Sequence, residues 1–417
     1  MNILHVTQNY FPSEGGTQYM MQQLSEYFKN NFNDGVKVYT TNSYYGPGRS
    51  AFRLIDKPLE TINDIEVQRF PFTRMHKKPI KFFNKVSVRL FQKQLPFYLA
   101  YTLQSGPVSY PLYKAMLNDD ADIIGASSMH YMFADYPQWR RFSKNPKPFV
   151  LYGALHIQKG LQLTKRYINR INNAEYYIAN TLFEKEFLSN YIHDTDKIKV
   201  IGTATDIYKD AEPPDAVALH RESIGVRKEE KLILYLGRHE DWKGIPVLLE
   251  AFYSLQKKYQ NIKLVIAGAA TNYTAALQKI SAENPAVIIC SNLSHKEKCL
   301  VLPAADMLVL PSGEESFGVV FIEAWSFCKP VIGANIGAVA SVIDNGKDGL
   351  LFETNNSESL YKCIELLLND TDKSISFGNA GYQKVQQKYT WKIIAPAFRN
   401  VYEMAIEKFH SQKNSKQ

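Results

Sequence analysis

The sequence predicts an α/β protein with two domains, each built on a parallel sheet whose strands alternate with helices. Three observations support this prediction. The chain has 417 residues, which is too many for one ordinary domain. Short apolar runs alternate with stretches of helical spacing in both halves. At several predicted strand ends, a loop that contains glycine leads directly into the next helix.

The composition limits the class of protein further. Hydrophobic residues make up 45% and charged residues 22%, as in ordinary globular proteins. No apolar run reaches the roughly 18 residues that a membrane span needs, and Met1–Val6 lacks the basic region of a signal peptide. The four cysteines form neither a Cys-x-x-Cys motif nor a Cys/His cluster, so we expect a reduced, cytoplasmic compartment and no zinc site. A net charge of +8 favours an anionic partner.

The first half contains seven predicted strands, each a short apolar run between turn residues. They are Asn2–Thr7, Val36–Thr40, Ile65–Phe70, Ala121–Ala126, Pro148–Tyr152, Tyr176–Asn180 and Lys197–Gly202. The loop after the first strand carries Gly15 and Gly16 and enters a helix predicted over Gln18–Asn30. Backbone N–H groups at a helix start lack partners within the helix and attract anions. This loop is therefore a candidate phosphate site.

The segment Arg74–Lys93 mixes basic and bulky apolar residues. Its basic-type residues are Arg74, His76, Lys77, Lys78, Lys81, Lys85, Arg89 and Lys93. Such a segment is typical of a helix that lies on an anionic membrane surface. It is equally typical of an amphipathic helix packed on its own domain with solvated lysines, because the apolar residues do not all fall on one face. The sequence leaves both interpretations open.

The polar stretch 207–228 is predicted to be the linker between a first domain, 1–206, and a second, 229–390. The predicted strands of the second domain are Lys231–Gly237, Lys263–Gly268, Val287–Cys290, Asp306–Leu310 and Val331–Ile332. The loop after the first of these carries Arg238 and Lys243, with a glycine on either side. A planar Arg fork and a Lys point charge together suit the binding of a diphosphate.

The stretch 311–323 follows a predicted buried strand and enters a helix predicted over Val319–Phe327. The amides of Phe317, Gly318 and Val319 are expected to lie in its first turn, where they attract anions. Glu315 and Glu323 flank this anion site with seven residues between them. Carboxylates beside a phosphate repel it unless each meets a neutral donor, and sugar and ribose hydroxyls are such donors.

This stretch resembles the nucleotide-sugar site of retaining glycosyltransferases of family 4, the glycosyl transferases group 1, which have the GT-B fold. The resemblance rests on Glu-x7-Glu around Ser316-Phe317-Gly318 and on Lys329-Pro330-Val331 after it. It covers most of the chain and is strongest from Leu232 to Leu351. It implies two Rossmann-like domains that face a cleft, and a helix after Trp391 that crosses back to the first domain within 391–417.

The resemblance also implies an activity. The chain would transfer a sugar, with retention and without a metal or cofactor, from a nucleotide-diphosphate sugar, with UDP favoured over GDP. The acceptor would be a glycan or lipid-linked molecule used in cell-envelope polysaccharide or glycolipid synthesis, bound by the first domain. The enzyme would be cytoplasmic, or peripheral on the inner face of the membrane, and would not bind nucleic acid.

Residue roles follow from the same resemblance. Arg238 and Lys243 would hold the donor diphosphate, Glu315 the donor sugar, and His156 would face that sugar. The residues expected to bind the donor nucleotide sugar are Gly15, Gly16, Leu293, Ser316, Phe317, Gly318, Val319 and Glu323, with Glu323 on the ribose and Leu293 near the base. The sequence departs from the family pattern at Cys328, where glycine is usual, and at Gly337–Ser341.

Two other functions remain open at the level of sequence. A nucleotide-sugar epimerase of the same fold would need an additional acid/base set, which we cannot identify in the sequence. A catalytically silent protein of this fold would bind a nucleotide sugar or a partner without turnover. Product analysis in the absence of an acceptor would separate these functions from transfer.

Overall fold

The structure is a computed structural model that describes residues 1–13, 15–45, 52–73, 82, 85–86, 89–90, 108–127, 132–158 and 160–414. Most of the segment Arg74–Lys93 lies outside the described residues. Within the described ranges, no helix combines the length and the apolar character that crossing a membrane requires.

The first sheet has eight strands in the order β10-β9-β8-β7-β1-β2-β6-β5. All neighbours are parallel except β5 and β6, which form an antiparallel hairpin. The strands are β1 (Asn2–Val6), β2 (Gly35–Thr41), β5 (Leu59–Ile62), β6 (Ile65–Phe70), β7 (Ile123–Ala126), β8 (Phe149–Tyr152), β9 (Tyr176–Ala179) and β10 (Ile198–Val200), with β3 (Ser43–Tyr45) and β4 (Phe52–Leu54) pairing separately. Apolar residues are buried on both faces, as in a sheet covered by helices on each side.

The second sheet has six parallel strands in the order β13-β12-β11-β14-β15-β16. They are β11 (Lys231–Leu236), β12 (Ile262–Gly268), β13 (Val287–Ser291), β14 (Met307–Leu310), β15 (Val331–Ala334) and β16 (Gly349–Phe352). Counted within this domain, the order is 3-2-1-4-5-6, the order of the Rossmann fold. The two-domain α/β GT-B architecture predicted from the sequence is confirmed, and β3, β4, β5 and β16 are additions to the predicted strands.

The helices connect these strands and cover both sheets. In the first domain they are α1 (Gly16–Phe32), α2 (Tyr110–Asn118), α3 (Tyr136–Arg140), α4 (Lys165–Asn173) and α5 (Leu182–Ser189). In the rest of the chain they are α6 (Pro214–Ser223), α7 (Ile245–Gln256), α8 (Thr274–Glu283), α9 (His295–Ala304), α10 (Val319–Trp325), α11 (Gly337–Ala340), α12 (Ser357–Asn369), α13 (Thr371–Lys388) and α14 (Trp391–Asn414). Short 3-10 helices lie at 132–135, 195–197, 207–210 and 241–243.

The stretch 207–228, predicted to be a linker, contains a 3-10 helix and α6. Pro214 begins α6, where its missing N–H group costs nothing. No residue of α6 is buried, so hydrophobic periodicity gave no signal for this helix. Arg221 fixes α6 to the second domain, because its guanidinium donates to the Ala304 carbonyl and to Asp306.

The last helix, α14, packs on the first domain. Its buried residues recur at helical spacing and join the core beneath β1, β7 and β8: Trp391, Ile394, Ala395, Phe398, Val401, Tyr402 and Ala405. Arg399 adds an ion pair to the buried Asp34 at 2.9 Å. Helix α14 therefore returns the chain to the first domain, as the prediction of a crossing helix after Trp391 requires.

Candidate active site

The two loops predicted to bind phosphate leave neighbouring strands. The strand order of the second sheet reverses between β11 and β14, which pair directly through Ile233 and Met307. In open α/β sheets, ligands bind outside the carboxyl ends of the strands at such a reversal. The loop 237–244 follows β11 and the loop 311–318 follows β14, so the fold brings both motifs to one place.

Lys243 joins these two loops. Its ammonium lies 2.6 Å from the Glu315 carboxylate and donates to the Glu314 carbonyl over 3.2 Å. Both side chains are largely withdrawn from solvent, at 9% and 13% exposure. The next residue, Gly244, has φ 81°, and a Cβ there would lie 2.3 Å from the Pro311 carbonyl oxygen. Only glycine therefore lets the Lys243 turn pack this closely on the Glu315 loop.

Arg238 lies on the same side of the site as Lys243. The Trp242 ring lies between them, with the Arg238 guanidinium 5.2 Å and the Lys243 ammonium 4.6 Å from its centroid. The Tyr235 hydroxyl donates to the Arg238 carbonyl over 2.7 Å and so holds the Arg238 backbone in place. The indole face attracts both cations and so offsets part of their mutual repulsion.

Three helices that leave loops at the carboxyl ends of strands begin at glycine. They are α1 at Gly15, α7 at Gly244 and α10 at Gly318, and no described side chain caps any of them. Two other helices that follow strands of the second sheet, α9 after β13 and α12 after β16, begin instead at the side-chain caps Ser294 and Asn356. Because no side chain accepts from their first-turn amides, the glycine-started helices leave N–H groups available to an anionic ligand.

Glu323 is buried in α10, at 5% exposure. One of its oxygens accepts from the Lys298 ammonium of α9. The other oxygen, Oε2, is buried, and no described residue donates a hydrogen bond to it. A buried carboxylate oxygen without a donor is costly, so this atom is suited to accept from a ligand hydroxyl. The helix itself ends at Trp325, two residues earlier than predicted, because the chain turns at Cys328 with φ 54°.

His156 follows β8 in the first domain and faces the second. It interacts electrostatically with Glu315, Lys243 and Arg238 across the cleft. The surrounding walls desolvate the imidazole and lower its pKa, Lys243 and Arg238 lower it further, and Glu315 opposes this effect. The ring nevertheless remains exposed to solvent, because it lies in an open cleft rather than in the core. A neutral imidazole at pH 7 follows from the lowered pKa.

The remaining predicted residues lie around this centre. Gly15 and Gly16 are exposed at the start of α1, and Tyr19 in the same turn interacts electrostatically with Glu323 of the opposite domain. Leu293 is partly buried against the core of the second domain, between β13 and α9. Ser316 and Val319 are partly exposed. These placements put the predicted donor-binding residues on both walls of one cleft.

Phe317 differs from the other residues of its loop. Its ring is buried, at 2% exposure, and meets the Tyr389 ring edge-to-face at 5.4 Å. Gly202, with φ 90°, lies beside the same ring. Tyr389 and Gly202 belong to the two places where the chain passes between the domains, so the side chain of Phe317 packs in the hinge. The side chain of Phe317 is therefore not available to a ligand, and the predicted contact can come only from its backbone amide.

Sequence reasoning missed Lys298, Tyr235 and Trp242. Lys298 lies one turn into α9, and only the folded chain brings it to Glu323, 25 residues later. Tyr235 occupies an apolar run and reads as an ordinary strand residue, although its hydroxyl holds Arg238. Trp242 had the clearest signal, since it is an exposed indole directly before Lys243 in a phosphate-type loop.

Comparison with known proteins identifies the second half. The family model for glycosyl transferases group 1 matches residues 217–384. Residues 217–384 are therefore similar to the glycosyl transferases group 1, and these are transferases, the enzyme class predicted from the sequence. The matched range contains Arg238, Lys243, Glu315 and Glu323.

Curated relatives resemble about half of the chain at moderate identity. A D-inositol 3-phosphate glycosyltransferase of Corynebacterium aurimucosum is 27% identical over 248 residues. That alignment covers 57% of this chain and 58% of the relative, so the chain spans less than two thirds of the relative's length.

Solved structures resemble the whole fold. Sucrose-phosphate synthase from Thermosynechococcus elongatus aligns with a TM-score of 0.74 at 16% identity, over 98% of this chain and 100% of that one. The Anabaena protein HepE, in complex with UDP and glucose, aligns with a TM-score of 0.71 at 17% identity, over 96% and 98% of the two chains. At these identities the likeness shows only the fold. It supports the GT-B architecture for nearly all of the chain, beyond the matched range 217–384.

Proposed function

We propose that this protein is a retaining glycosyltransferase that moves a sugar from a nucleotide-diphosphate sugar to a glycan or lipid-linked acceptor. The observation that carries the proposal is the arrangement of Lys243, Arg238, Glu315 and His156 around one cleft, beside helices that begin at glycine. UDP is the nucleotide to test first, because HepE, a protein of the same fold, binds UDP. A role in cell-envelope polysaccharide or glycolipid synthesis belongs to this proposal.

The main chemical task of such an enzyme is to stabilise the diphosphate as it leaves the sugar. Arg238 and Lys243 supply two cations, and the first-turn amides of α7 and α10 supply partial positive charge at the same edge of the sheet. Groups already oriented toward the developing charge contribute the largest part of catalysis in many enzymes. These groups perform that role here without requiring a metal ion.

The carboxylates would hold the neutral parts of the donor. Glu323 Oε2 accepts from a ribose hydroxyl, which supplies the partner that this buried atom lacks. Glu315 positions the donor sugar, and its ion pair with Lys243 fixes its orientation. His156, neutral at pH 7, forms a hydrogen bond with a sugar hydroxyl without adding a third positive charge. Closure of the two domains about the hinge excludes water from the donor.

Ligand stabilisation tests the donor half of the proposal. UDP, GDP and ADP are each titrated while the melting temperature is measured, since a ligand that binds the folded state raises it by mass action. We expect UDP to raise it most in the wild type and much less in Lys243→Ala. Lys258→Ala is the matched control, because Lys258 is 61% exposed and pairs with Glu365 on the outside of the second domain. Equal responses in both variants would remove Lys243 from the donor site.

Product analysis tests the reaction. A UDP-sugar is incubated with a panel of glycan and lipid-linked acceptors in the presence of EDTA, and the product's anomeric configuration is read by NMR. We expect a new glycosidic bond with the donor's configuration. An epimerised nucleotide sugar formed without acceptor would identify an epimerase instead. Tight binding without turnover on any acceptor would identify a silent binding protein.

The acceptor side includes a proposed contact with an anionic membrane through Arg74–Lys93. Of this segment, Phe82 and Leu90 are described and are 63% and 67% exposed. Each Lys or Arg near an anionic surface contributes about 1 kcal/mol, so several together suffice for reversible binding. Co-sedimentation with anionic and neutral vesicles compares the wild type with a variant in which Lys77, Lys78, Lys81 and Lys85 are changed to Ser. Equal sedimentation of both proteins would exclude this segment as the contact.

A further inference from the structure

Glu184 is a buried carboxylate that the proposed mechanism does not use. It lies in the first turn of α5 at 1% exposure, and its oxygens accept hydrogen bonds from three donors. The Tyr177 hydroxyl and the Leu155 amide donate to Oε1 over 2.6 Å and 3.2 Å. The Asn180 amide donates to Oε2 over 2.8 Å. One side chain therefore connects the loops that follow β8 and β9.

The loop after β8 is strained where Glu184 holds it. Ala154 has φ 56°, a left-handed conformation that costs about 1–2 kcal/mol for a residue other than glycine. Before it, Gly153 packs so tightly that a Cβ would lie 1.8 Å from the Tyr177 hydroxyl and 2.5 Å from Glu184 Oε1. After it, the Leu155 side chain is buried in the core. The strained turn ends at His156, which enters the cleft.

We infer that Glu184 is the positioning residue for His156. Its carboxylate fixes the Leu155 amide, keeps the strained turn at Ala154 in place, and so aims the imidazole at the opposite domain. The contribution of this arrangement to sugar transfer rests on the proposed function, whereas its effect on the loop does not. Glu184 itself does not touch the cleft.

The ionisation of Glu184 controls how firmly the loop is held. An ionised carboxylate accepts from all three donors, but a protonated one carries a hydrogen that faces either the Asn180 amide or the Leu155 and Tyr177 donors. Burial raises the pKa of Glu184 to about 7, and its hydrogen bonds oppose this rise. In the described part of the chain, the titratable groups that interact with this cluster are Tyr177, Tyr152 and Tyr167, from β9, β8 and α4. Burial raises the pKa of Tyr177 and Tyr152, so both stay neutral near pH 7.

Hydrogen–deuterium exchange of the free protein tests the inference without any substrate. Uptake by the peptide that contains Leu155 and His156 is measured from about pH 5.5 to about pH 8.5 and corrected for intrinsic exchange. In the wild type we expect protection to rise with pH, with its midpoint near the pKa of Glu184. Glu184→Gln should remove this pH dependence and speed exchange about tenfold, since the amide cannot accept from both sides. Tyr177→Phe should move the midpoint to higher pH, because it removes a hydrogen bond that lowers the pKa of Glu184.

Glu175→Gln is the matched control. Glu175 is also buried and also accepts a hydrogen bond from a backbone amide, that of Phe149 at the start of β8, over 2.7 Å. Glu175→Gln should leave the exchange midpoint of the 155–156 peptide unchanged.

Where transfer is measured, Glu184→Gln should lower kcat while leaving UDP affinity intact, since Glu184 acts through His156 alone. An unchanged profile in Glu184→Gln, or the same effect in Glu175→Gln, would overturn the inference. If Glu184→Gln does not fold, an unmoved midpoint in Tyr177→Phe overturns it.

Discussion

Replacing Lys243 by alanine removes the cation that connects the two donor loops. The change deletes the 2.6 Å ion pair with Glu315 and the 3.2 Å contact with the Glu314 carbonyl. Loss of one charge-assisted contact to a leaving phosphate should raise the barrier by about 2–4 kcal/mol, which is roughly a 30- to 1000-fold loss in rate. The effect on folding should be about 1–3 kcal/mol, because Glu315 loses a charged partner while it is largely withdrawn from solvent.

The ion pair permits a second explanation of the same loss, in which Lys243 serves only to neutralise Glu315. A double-mutant cycle with Glu315→Gln separates the two explanations. If Lys243 acts on the diphosphate, Lys243→Ala should still reduce the rate about tenfold or more in the Glu315→Gln background. If it only neutralises Glu315, the second change should cost nothing. The assay is UDP release from a UDP-sugar, with and without acceptor. Equal rates for the double variant and Glu315→Gln would refute the role of Lys243 in stabilising the leaving group.

Three further predictions concern binding, stability and pH. Glu323→Gln should weaken UDP binding, measured by calorimetry, about 10- to 100-fold, as expected for a lost hydrogen bond to a charged group. Glu358→Gln, on the exposed face of α12, is the control. Cys328→Gly should stabilise the protein by about 1 kcal/mol in urea unfolding, because φ 54° suits glycine, whereas Asn33→Gly at φ 53° should gain less since asparagine tolerates that conformation. The pKa of about 7 for Glu184 means that the folded protein keeps a proton which the unfolded chain loses near pH 4.5, so the wild type should lose about 3 kcal/mol relative to Glu184→Gln between those pH values. A relative stability that does not change with pH would contradict the last of these.

The second domain could be predicted well from the sequence because its signals are local. Each buried strand is a short apolar run, and each donor loop follows its strand directly. The sequence alone was therefore enough to place Arg238, Lys243 and Glu315 at strand ends. The parallel sheet then brings the carboxyl ends of β11 and β14 together. Local pattern and topology were sufficient for this part of the site.

The supporting residues could not be predicted, because they act at long range. Lys298 meets Glu323 through the packing of α9 on α10, and Glu184 meets Leu155 through the adjacency of β8 and β9. Neither pairing follows from spacing along the chain. Helix α6 was missed for a different reason, since a helix that buries no side chain has no apolar stripe. Periodicity detects only those elements that contribute to a core.

Cys328 shows that a departure from the family pattern can keep the backbone conformation. The family usually has glycine here, and this chain adopts φ 54° with cysteine. The turn is fixed by its surroundings: a Cβ on Gly378 would lie 1.9 Å from the Cys328 carbonyl oxygen, so α13 packs directly on the turn backbone. The packing of α13 therefore determines the backbone conformation at residue 328. This left-handed conformation is less favourable for cysteine than it would be for glycine.

Glu184 combines a cost in stability with control of a functional loop. A neutral side chain of similar shape would avoid the desolvation of a buried carboxylate, and most of the surrounding core is apolar. The carboxylate is retained beside a glycine that admits no Cβ and an alanine in a left-handed conformation. Strain of this kind persists only where the surroundings hold it in place, and the donor set of Glu184 is the restraint that reaches this turn. The carboxylate that costs stability between about pH 4.5 and pH 7 is therefore also the group that holds the turn before His156 in place.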